Sequence, residues 1–572
     1  MSKNIRQTTF NRSPITWIKD AWFLAKPYWQ SPDKYKAIAL ISVVIIFNLL
    51  MVGATVMLNK WYNVFYDAIQ HYDKAGFYRQ VIRFCFIAFA YITFAVLAYY
   101  FRKILEIRWR RWLTSYYLDK WLSAKAYYKT RFLSEVSDNP DQRISEDVNG
   151  FIVLLLDLSL GLINSVVTLA SFAVILWTIS GPLKFIVAGH HIVIPGYMLW
   201  VAILYAIIGT YLTFKIGKPL IKLQYQQQAY EADFRFGLMH VREYSENIAF
   251  YNGEAQEKKG LINRFSHVVN NFVSTIYRQL KIDIFSIGYN QLASIFPLLV
   301  AAPRYFAKAI QLGDLMQISS AFGRVQDALS YFIGAYTSLS GWRAVMDRLY
   351  GFQMAIEHAG KLGGVAIQED DSYLTLKQVG INLPNGKPLI HGINFHLESG
   401  DSLLIKGRSG SGKTTLLRTI AGLWHFATGD IYQKPDLSSI FITQKPYLPI
   451  GRLRNAICYP MTENLPDIEQ LRGLLAECSI GHFAHKLDDY ADWGNTLSVG
   501  EQQRIAFCRI LINKPDIIYL DEATSALDEE TEELMYSLIK SKLPNSIIVS
   551  VGHRSTVAKW HNHTLDFNQL VA

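Results

Sequence analysis

Six apolar runs mark the first 350 residues, each long enough to cross about 30 Å of hydrocarbon as a helix rising 1.5 Å per residue. They fall near 37–58, 81–101, 151–179, 192–214, 282–302 and 315–339, and the last two are less uniformly apolar. Ahead of them, 15–29 carries Trp17, Trp22 and Trp29 among lysines, a composition that suits a helix lying in the membrane interface. From Tyr373 the pattern changes to short β-rich runs (YLTLKQV, INLPNGKPLI, DSLLIKG) separated by turns, as in an α/β domain. The expected class is a multidomain membrane protein: an α-helical six-span domain joined to a soluble α/β domain.

Composition agrees with that division. The chain is 51% hydrophobic and only 18% charged, against about 25% charged for an average soluble protein. At 572 residues it exceeds one ordinary domain. The net charge of +10 does not describe a nucleic-acid groove, because the cations sit between alternate apolar runs. Arg102, Lys103, Arg108, Arg110 and Arg111 follow the second run, and Lys215, Lys218, Lys222 and Arg235 follow the fourth. That asymmetry makes both long connections and both termini cytoplasmic, and excludes nucleic acid as a partner. The connections span about 50 and 65 residues, too long for structureless loops, and read as helical continuations. The first apolar run begins only after residue 36, so no cleavable signal peptide is expected. Cys85, Cys458, Cys478 and Cys508 show no paired spacing and read as reduced packing residues.

Several polar residues fall inside the runs: Asn290 and Gln291 in the fifth, Arg324, Gln326 and Asp327 in the sixth. Charge at mid-bilayer faces a bundle interior or a water-filled path. Arg324 and Asp327, one turn apart, could equally pair with each other, and both readings stand open. The outer segment GHHIVIPG (189–196) reads as a short turn or hairpin. His190 and His191 read as solvated, since no third ligand accompanies them.

The run DSLLIKG leads directly into GRSGSGKTT, which is Gly407, Arg408, Ser409, Gly410, Ser411, Gly412, Lys413, Thr414 and Thr415. With a strand before and an apolar helix after, this is a phosphate-binding loop. Its backbone amides curl around phosphates, Lys413 reaches the β/γ oxygens, and Thr414 offers a hydroxyl to Mg²⁺. PDIIYLDEAT ends an apolar strand in Asp521, a candidate Mg²⁺ ligand, and Glu522, placed to polarise an attacking water. Gln444, in FITQKPYLP, stands at a strand end as a further catalytic and Mg²⁺ candidate. His553, in IIVSVGHRS, follows a β-branched strand as a γ-phosphate contact. The ligands implied are ATP and Mg²⁺.

LSVGEQQR (497–504) precedes the acidic strand and SALD (525–528) follows it. These resemble the signature and D-loop of ABC ATPases. The resemblance implies that Ser498 and Gly500 contact the γ-phosphate of ATP held on the opposite subunit's loop, so that catalysis needs two such domains head to tail. Val499 replaces the first glycine of the usual pair, and Glu501 stands at the usual glutamine. The adenine-stacking aromatic is absent, with Leu383 at its position. The expected layout is a cytoplasmic segment with its interfacial helix over 1–36, a six-helix transmembrane domain over 37–350, a linker over 351–372 and an ABC nucleotide-binding domain over 373–572.

DNPDQRISEDV (138–148), EADFRFGLMHVREYSENIAFYNGE (231–254), LGDLMQISSAF (312–322) and QKPYLPIGRLR (444–454) narrow the resemblance. It is to the SbmA/BacA-related, YddA-like bacterial transporters with an attached ATPase and to the ABC class D half-transporters. It implies a type IV, exporter-like fold, a homodimer, and an inner-membrane location with the ATPase domain in the cytoplasm. It also implies ATP-driven movement of a hydrophilic or peptide-like solute or cobalamin, with import compatible with that fold. Export of a lipid, acyl-CoA or peptide, or a non-transporting regulatory membrane ATPase, are the alternatives.

Overall fold

The computed structural model describes residues 14–132, 139–187, 190–365, 367–408, 410–552 and 554–569. Two compact units emerge. One is Met1–Ser123 with Glu135–Ala355; the other is Ala124–Ser134 with Ile356–Ala572.

The first unit is built from long helices: α1 (Pro14–Trp29), α2 (Lys34–Gln70), α3 (Lys74–Leu122), α4 (Val148–Ser180), α5 (Tyr197–Glu243), α6 (Glu254–Phe306) and α7 (Leu312–Lys361). A helix the length of α3, 49 residues, reaches about 74 Å, more than twice the hydrocarbon thickness. Large apolar side chains stand outward on these helices, such as Phe86 at 72% and Ile284 at 73% exposed. Lipid is the solvent such surfaces require. Among the described residues, α2 through α6 each lie in a helical stretch long and apolar enough to span a membrane. The sixth expected span falls on α7, where Gln317, Arg324, Gln326 and Asp327 interrupt the apolar stretch.

Polar groups on α7 are used for docking. Asn59 and Gln317 are both buried and exchange hydrogen bonds: Asn59 Nδ2 donates to the Gln317 carbonyl at 3.0 Å, and Gln317 Nε2 donates to Asn59 Oδ1 at 3.1 Å. Nearby, Asn63 Nδ2 donates to Asp314 Oδ1 at 2.7 Å. The Gly313 amide donates to Asp67 Oδ1 at 2.8 Å, and any side chain at Gly313 would collide with the Asn63 carbonyl. Arg324 and Asp327 are both exposed, and among the described residues they form no ion pair with each other. The pairing that their spacing allowed is not made.

The fourth apolar run does not enter its helix at residue 192. Instead β1 (Leu183–Val187) pairs antiparallel with β2 (His190–Ile194), with Phe185 opposite Ile192. Consecutive β-branched residues favour the strand, Pro195 and Gly196 end it, and α5 starts at Tyr197.

Between α3 and α4, Arg143–Asp147 forms one wide π-type turn. The Asp147 carboxylate is buried and accepts from Arg143 Nη1 at 2.7 Å, Arg348 Nε at 2.9 Å and Arg348 Nη2 at 2.5 Å. Those hydrogen bonds raise the Arg348 pKa against the opposing effect of burial. This clamp fixes the start of α4 to α7.

In the second unit, five parallel strands run in the order β13 (His563–Asp566), β6 (Ser402–Lys406), β12 (Ile547–Val551), β11 (Ile517–Asp521), β8 (Ser439–Ile442). Their apolar runs (SLLIK, IIYLD, IIVSV) suit strands covered on both faces. A second sheet runs β3 (Ile367–Glu369), β7 (Ala427–Gln433), β4 (Leu374–Asn382), β5 (Pro388–Leu397). A short pair, β9 (Gly451–Arg452) and β10 (Tyr490–Ala491), lies apart from both. The helices that frame the site are α8 (Lys413–Ile420), α9 (Leu453–Cys458), α10 (Ile468–Glu477), α11 (Val499–Asn513) and α12 (Glu529–Lys542). Residues 124–134, which continue the chain beyond α3, belong to this unit. Phe132 packs edge-on against Trp424 with centroids 5.4 Å apart, and Lys125 Nζ donates to the Ala421 carbonyl at 3.2 Å.

Removing the Asp147 carboxylate leaves Arg143 and Arg348 without their shared acceptor. Asp147→Ala should cost about 3 kcal/mol, read as a lower unfolding temperature of the detergent-purified protein; an unchanged temperature would contradict the clamp.

Candidate active site

The C-terminal ends of β6, β11 and β12 meet at one edge of the parallel sheet, the usual ligand edge of an α/β fold. β6 feeds the loop 407–412 and then α8. Gly412 is left-handed (φ +100°), and a Cβ there would lie 2.8 Å from Leu389. Only glycine therefore lets the backbone turn into α8 so tightly. Lys413 is buried, and its Nζ donates to the carbonyls of Gly407 and Arg408, each at 2.8 Å. Burial lowers its pKa, while Glu522 and Asp521 pull the other way. Ser411 Oγ is buried without a hydrogen-bond partner among the described residues. A loop with amides, a buried ammonium and an unsatisfied hydroxyl fits a polyphosphate. Ser409 and His553 lie outside the described residues.

Thr414 Oγ1 donates to Asp521 Oδ1 at 3.1 Å, bringing two of the three candidate Mg²⁺ ligands together. Asp521 is half-buried, and burial raises its pKa despite the Thr414 hydrogen bond. A hydroxyl and a half-buried carboxylate so close fit a small divalent cation. Glu522, next in the chain, is left-handed (φ +51°), uncommon for a residue with a side chain. Its amide donates to the Val551 carbonyl at 3.0 Å, and its carbonyl accepts from the Ser525 amide at 3.0 Å. Glu522 borders a cavity of about 150 Å³ together with Thr524, Ser525, Gly552 and Arg554. Leu383 occupies the turn between β4 and β5, where its amide donates to the Lys387 carbonyl at 2.8 Å.

The stretch LSVGEQQR forms the start of α11. Ser498 caps the helix, accepting from the Glu501 amide at 3.4 Å, while the Ser498 amide and hydroxyl donate to Glu501 Oε2 at 2.9 and 2.8 Å. Glu501, the departure noted in the sequence, therefore completes a capping box. Burial works against its charge, yet the Ser498 hydrogen bonds hold its pKa below the usual carboxylate range. Gly500 lies against the D-loop; a Cβ there would sit 3.0 Å from the Ala526 carbonyl oxygen.

Sequence reasoning missed Gln503. It is fully buried, its Nε2 donates to the Gln444 carbonyl at 2.8 Å and to Ser525 Oγ at 3.3 Å, and its Oε1 accepts from the Ala526 amide at 3.1 Å. One side chain thus joins α11, the exposed Gln444 loop and the D-loop. Arg554 adds hydrogen bonds to the carbonyls of Leu527 (2.7 Å) and Ser525 (3.0 Å). In the sequence, both are ordinary polar residues beside a motif, and only the tertiary contacts distinguish them.

Residues 24–306 match the family model described as ABC transporter transmembrane region 2, and 390–525 match the model described as ABC transporter. An uncharacterized ABC transporter ATP-binding protein of Haemophilus influenzae is 39% identical, over 96% of this chain and 92% of its own. The inner membrane ABC transporter ATP-binding protein YddA of Escherichia coli is 35% identical, over 93% of this chain and 94% of its own. The chain belongs to the ABC transporter family. It is a membrane-embedded half-transporter with a transport-coupled, ATP-binding ATPase domain. The human lysosomal cobalamin transporter ABCD4 is 27% identical over 94% of this chain and 92% of its own. The fold matches a bacterial Atm1-family ABC exporter solved with ATP bound, with a TM-score of 0.72 at 17% identity over 94% of each chain. The exporter-like helical region followed by an α/β nucleotide-binding domain agrees with the sequence reading.

Gln503→Leu should lower ATPase kcat by at least about tenfold, because misplacing a catalytic loop by about 1 Å carries penalties of that order or more. KM for ATP should change less, since the phosphate loop is untouched; equal kcat in variant and parent would contradict the junction.

Behind Glu522, His561 sits between the Val557 carbonyl (Nδ1, 2.9 Å) and Ser550 Oγ (Nε2, 2.8 Å), with Tyr536 donating to Ser550 at 3.2 Å. A carbonyl can only accept, so Nδ1 carries the proton and Nε2 accepts from Ser550. Burial chiefly pulls the His561 pKa down from 6.5 to about 4. Its neutral form therefore stabilises the fold fully above pH 6.5, and the contribution is lost as pH falls from 6.5 towards 4, by up to about 3 kcal/mol. His561→Gln should flatten this part of the stability–pH curve relative to the parent, measured by thermal unfolding of the purified full-length protein.

Proposed function

We propose that two copies of this chain form a homodimeric transporter in a bacterial inner membrane. The ATPase units would lie on the cytoplasmic side, moving a hydrophilic or peptide-like solute, or cobalamin, inward by alternating access. The observation that carries the dimer is the open end of α11. Ser498 is exposed, and among the described residues no hydrogen bond joins Ser498 or Gly500 to the chain's own phosphate loop. An exposed helix N-terminus with its amides forward is suited to the γ-phosphate of a nucleotide held by another copy.

In this reading the loop 407–415 and Lys413 hold the phosphates of ATP, and Ser498 and Gly500 of the second copy cover them. Glu522 orients and deprotonates the attacking water, and His553 contacts the γ-phosphate. Thr414, Gln444 and Asp521 would hold Mg²⁺, which supplies positive charge where the β/γ oxygens develop negative charge. Lys413 donates to the bridging and γ oxygens as the bond to the leaving group breaks. The junction at Gln503 carries movement of the Gln444 loop to α11 and the D-loop, so that closure is felt in both. Exposed polar groups on the long helices (Asn290, Gln291, Arg324 and Asp327) suit a water-filled path better than a lipid-facing wall. The cobalamin transporter among the relatives and the inner-membrane description of YddA support the solute class and the location.

Glu522→Gln should abolish steady-state ATP hydrolysis while leaving ATP binding intact, and Lys413→Ala should lose ATP affinity. Normal turnover in Glu522→Gln would falsify the assignment of the base. ATP-dependent uptake of labelled cobalamin or peptide, compared in right-side-out and inside-out proteoliposomes, reads the solute and direction.

A further inference from the structure

A cleft of about 480 Å³ opens between α5 and α6. Lys222 on α5 and Tyr277, Arg278 and Lys281 on α6 line it, and no Asp or Glu does. Arg278 and Lys281 are three residues apart and so share a helix face. The acid nearest in sequence, Asp283, accepts from Gln279 Nε2 at 2.8 Å. Among the described residues, none of the three cations takes part in an ion pair.

A cation elsewhere in the same unit shows the contrast. Arg102, directly after the second apolar run, borders a cavity of about 280 Å³ walled by α2, α3 and α4. There its guanidinium is neutralised by Asp157 at 2.7 Å and Glu106 at 2.9 Å. The α5–α6 cleft concentrates like charge without such compensation, an arrangement that calls for an anion from outside the chain.

The cleft is also bounded by fixed contacts between α5 and α6. On one side of it Asn271 Nδ2 donates to the Leu223 carbonyl at 2.9 Å and to Gln227 Oε1 at 2.8 Å. On the other, Tyr205 and Tyr289 donate their hydroxyls to each other's carbonyls at 2.7 and 2.9 Å, with rings 4.4 Å apart. Between these two fixed points Pro219 removes one rung of the α5 hydrogen-bond ladder, which bends a helix.

Depth identifies the anion. Lys281 immediately precedes the fifth apolar run, and Lys222 follows the fourth within about 12 Å of helix. Given the sidedness proposed above, on which this step rests, the cleft lies at the level of inner-leaflet headgroups. We propose that it binds the phosphate of an anionic phospholipid of the cytoplasmic leaflet. Arg278 presents a planar fork to two phosphate oxygens, Lys222 and Lys281 add point charges, and the exposed Tyr277 ring lies beside the headgroup.

The test uses the full-length protein in nanodiscs of phosphatidylglycerol and phosphatidylcholine, with retained lipid read by native mass spectrometry. A cation near an anionic leaflet contributes about fivefold in affinity, so K222Q/R278Q/K281Q should retain phosphatidylglycerol on the order of a hundredfold less tightly. K258Q/K259Q, also on α6 but away from the cleft, should match the parent. Should the triple variant fail to fold, Arg278→Gln alone reads the same effect at about fivefold. Equal phosphatidylglycerol retention in parent and variant overturns the site. Displacement of the lipid by inorganic phosphate or glycerol 3-phosphate at matched concentration assigns the cleft to a soluble phosphate and overturns the lipid. Labelling of Lys222→Cys from the inner or outer face reads sidedness separately, so failure of the topology is distinguishable from failure of the site.

Discussion

Hydrocarbon offers a peptide group no hydrogen-bond partner, and the membrane unit is organised around that constraint. Its spanning segments close their hydrogen bonds within helices, and the helices continue past the apolar runs into the polar connections. The polar side chains on α7 then need partners that lipid cannot supply. Gln317 finds Asn59, and Asp314 finds Asn63. Each such contact positions α7 against α2, so the groups that interrupt the apolar stretch of α7 also determine where it packs.

The ATPase unit meets the opposite problem. Its motif loops must be polar and accessible to nucleotide, so little apolar burial remains to hold them. The positioning comes from a few buried polar side chains. Gln503 holds the Gln444 loop and the D-loop to α11, and Arg554 holds the D-loop from its far side. Arg509, also buried, donates to the carbonyls of Tyr447 and Ala456, and burial brings its pKa down to about 10. Buried groups of this kind are costly unless every bond is made, which is why each loop has one well-defined position. The Glu501 departure fits the same logic: a carboxylate at that position completes the cap on Ser498 and keeps the helix end ordered.

Much of the candidate site was legible because its motifs are local. The phosphate loop and the Asp521–Glu522 strand end depend on turn geometry and neighbours within a few residues, so spacing singles them out, whereas Ser498 was singled out by resemblance and its cap on α11 came only with the structure. The hairpin ahead of α5 was half legible. The segment 189–196 reads as a short turn or hairpin, but 192–194 were also counted into the fourth apolar run, since periodicity does not separate a short apolar strand from a helix over so short a stretch.

By itself, the sequence determined the two-part organisation, the apolar runs and the chemistry available at the nucleotide site. All of these follow from hydrogen bonding and hydrophobicity over short range. Tertiary structure alone decided which polar groups meet. Arg324 and Asp327, one turn apart, do not pair, whereas Asn59 and Gln317 meet across 258 positions of chain. Asp147 gathers two arginines, one of them 201 residues away. Spacing says which partners are within reach, but packing settles which are taken, because a buried polar group must be satisfied by whatever the fold brings beside it.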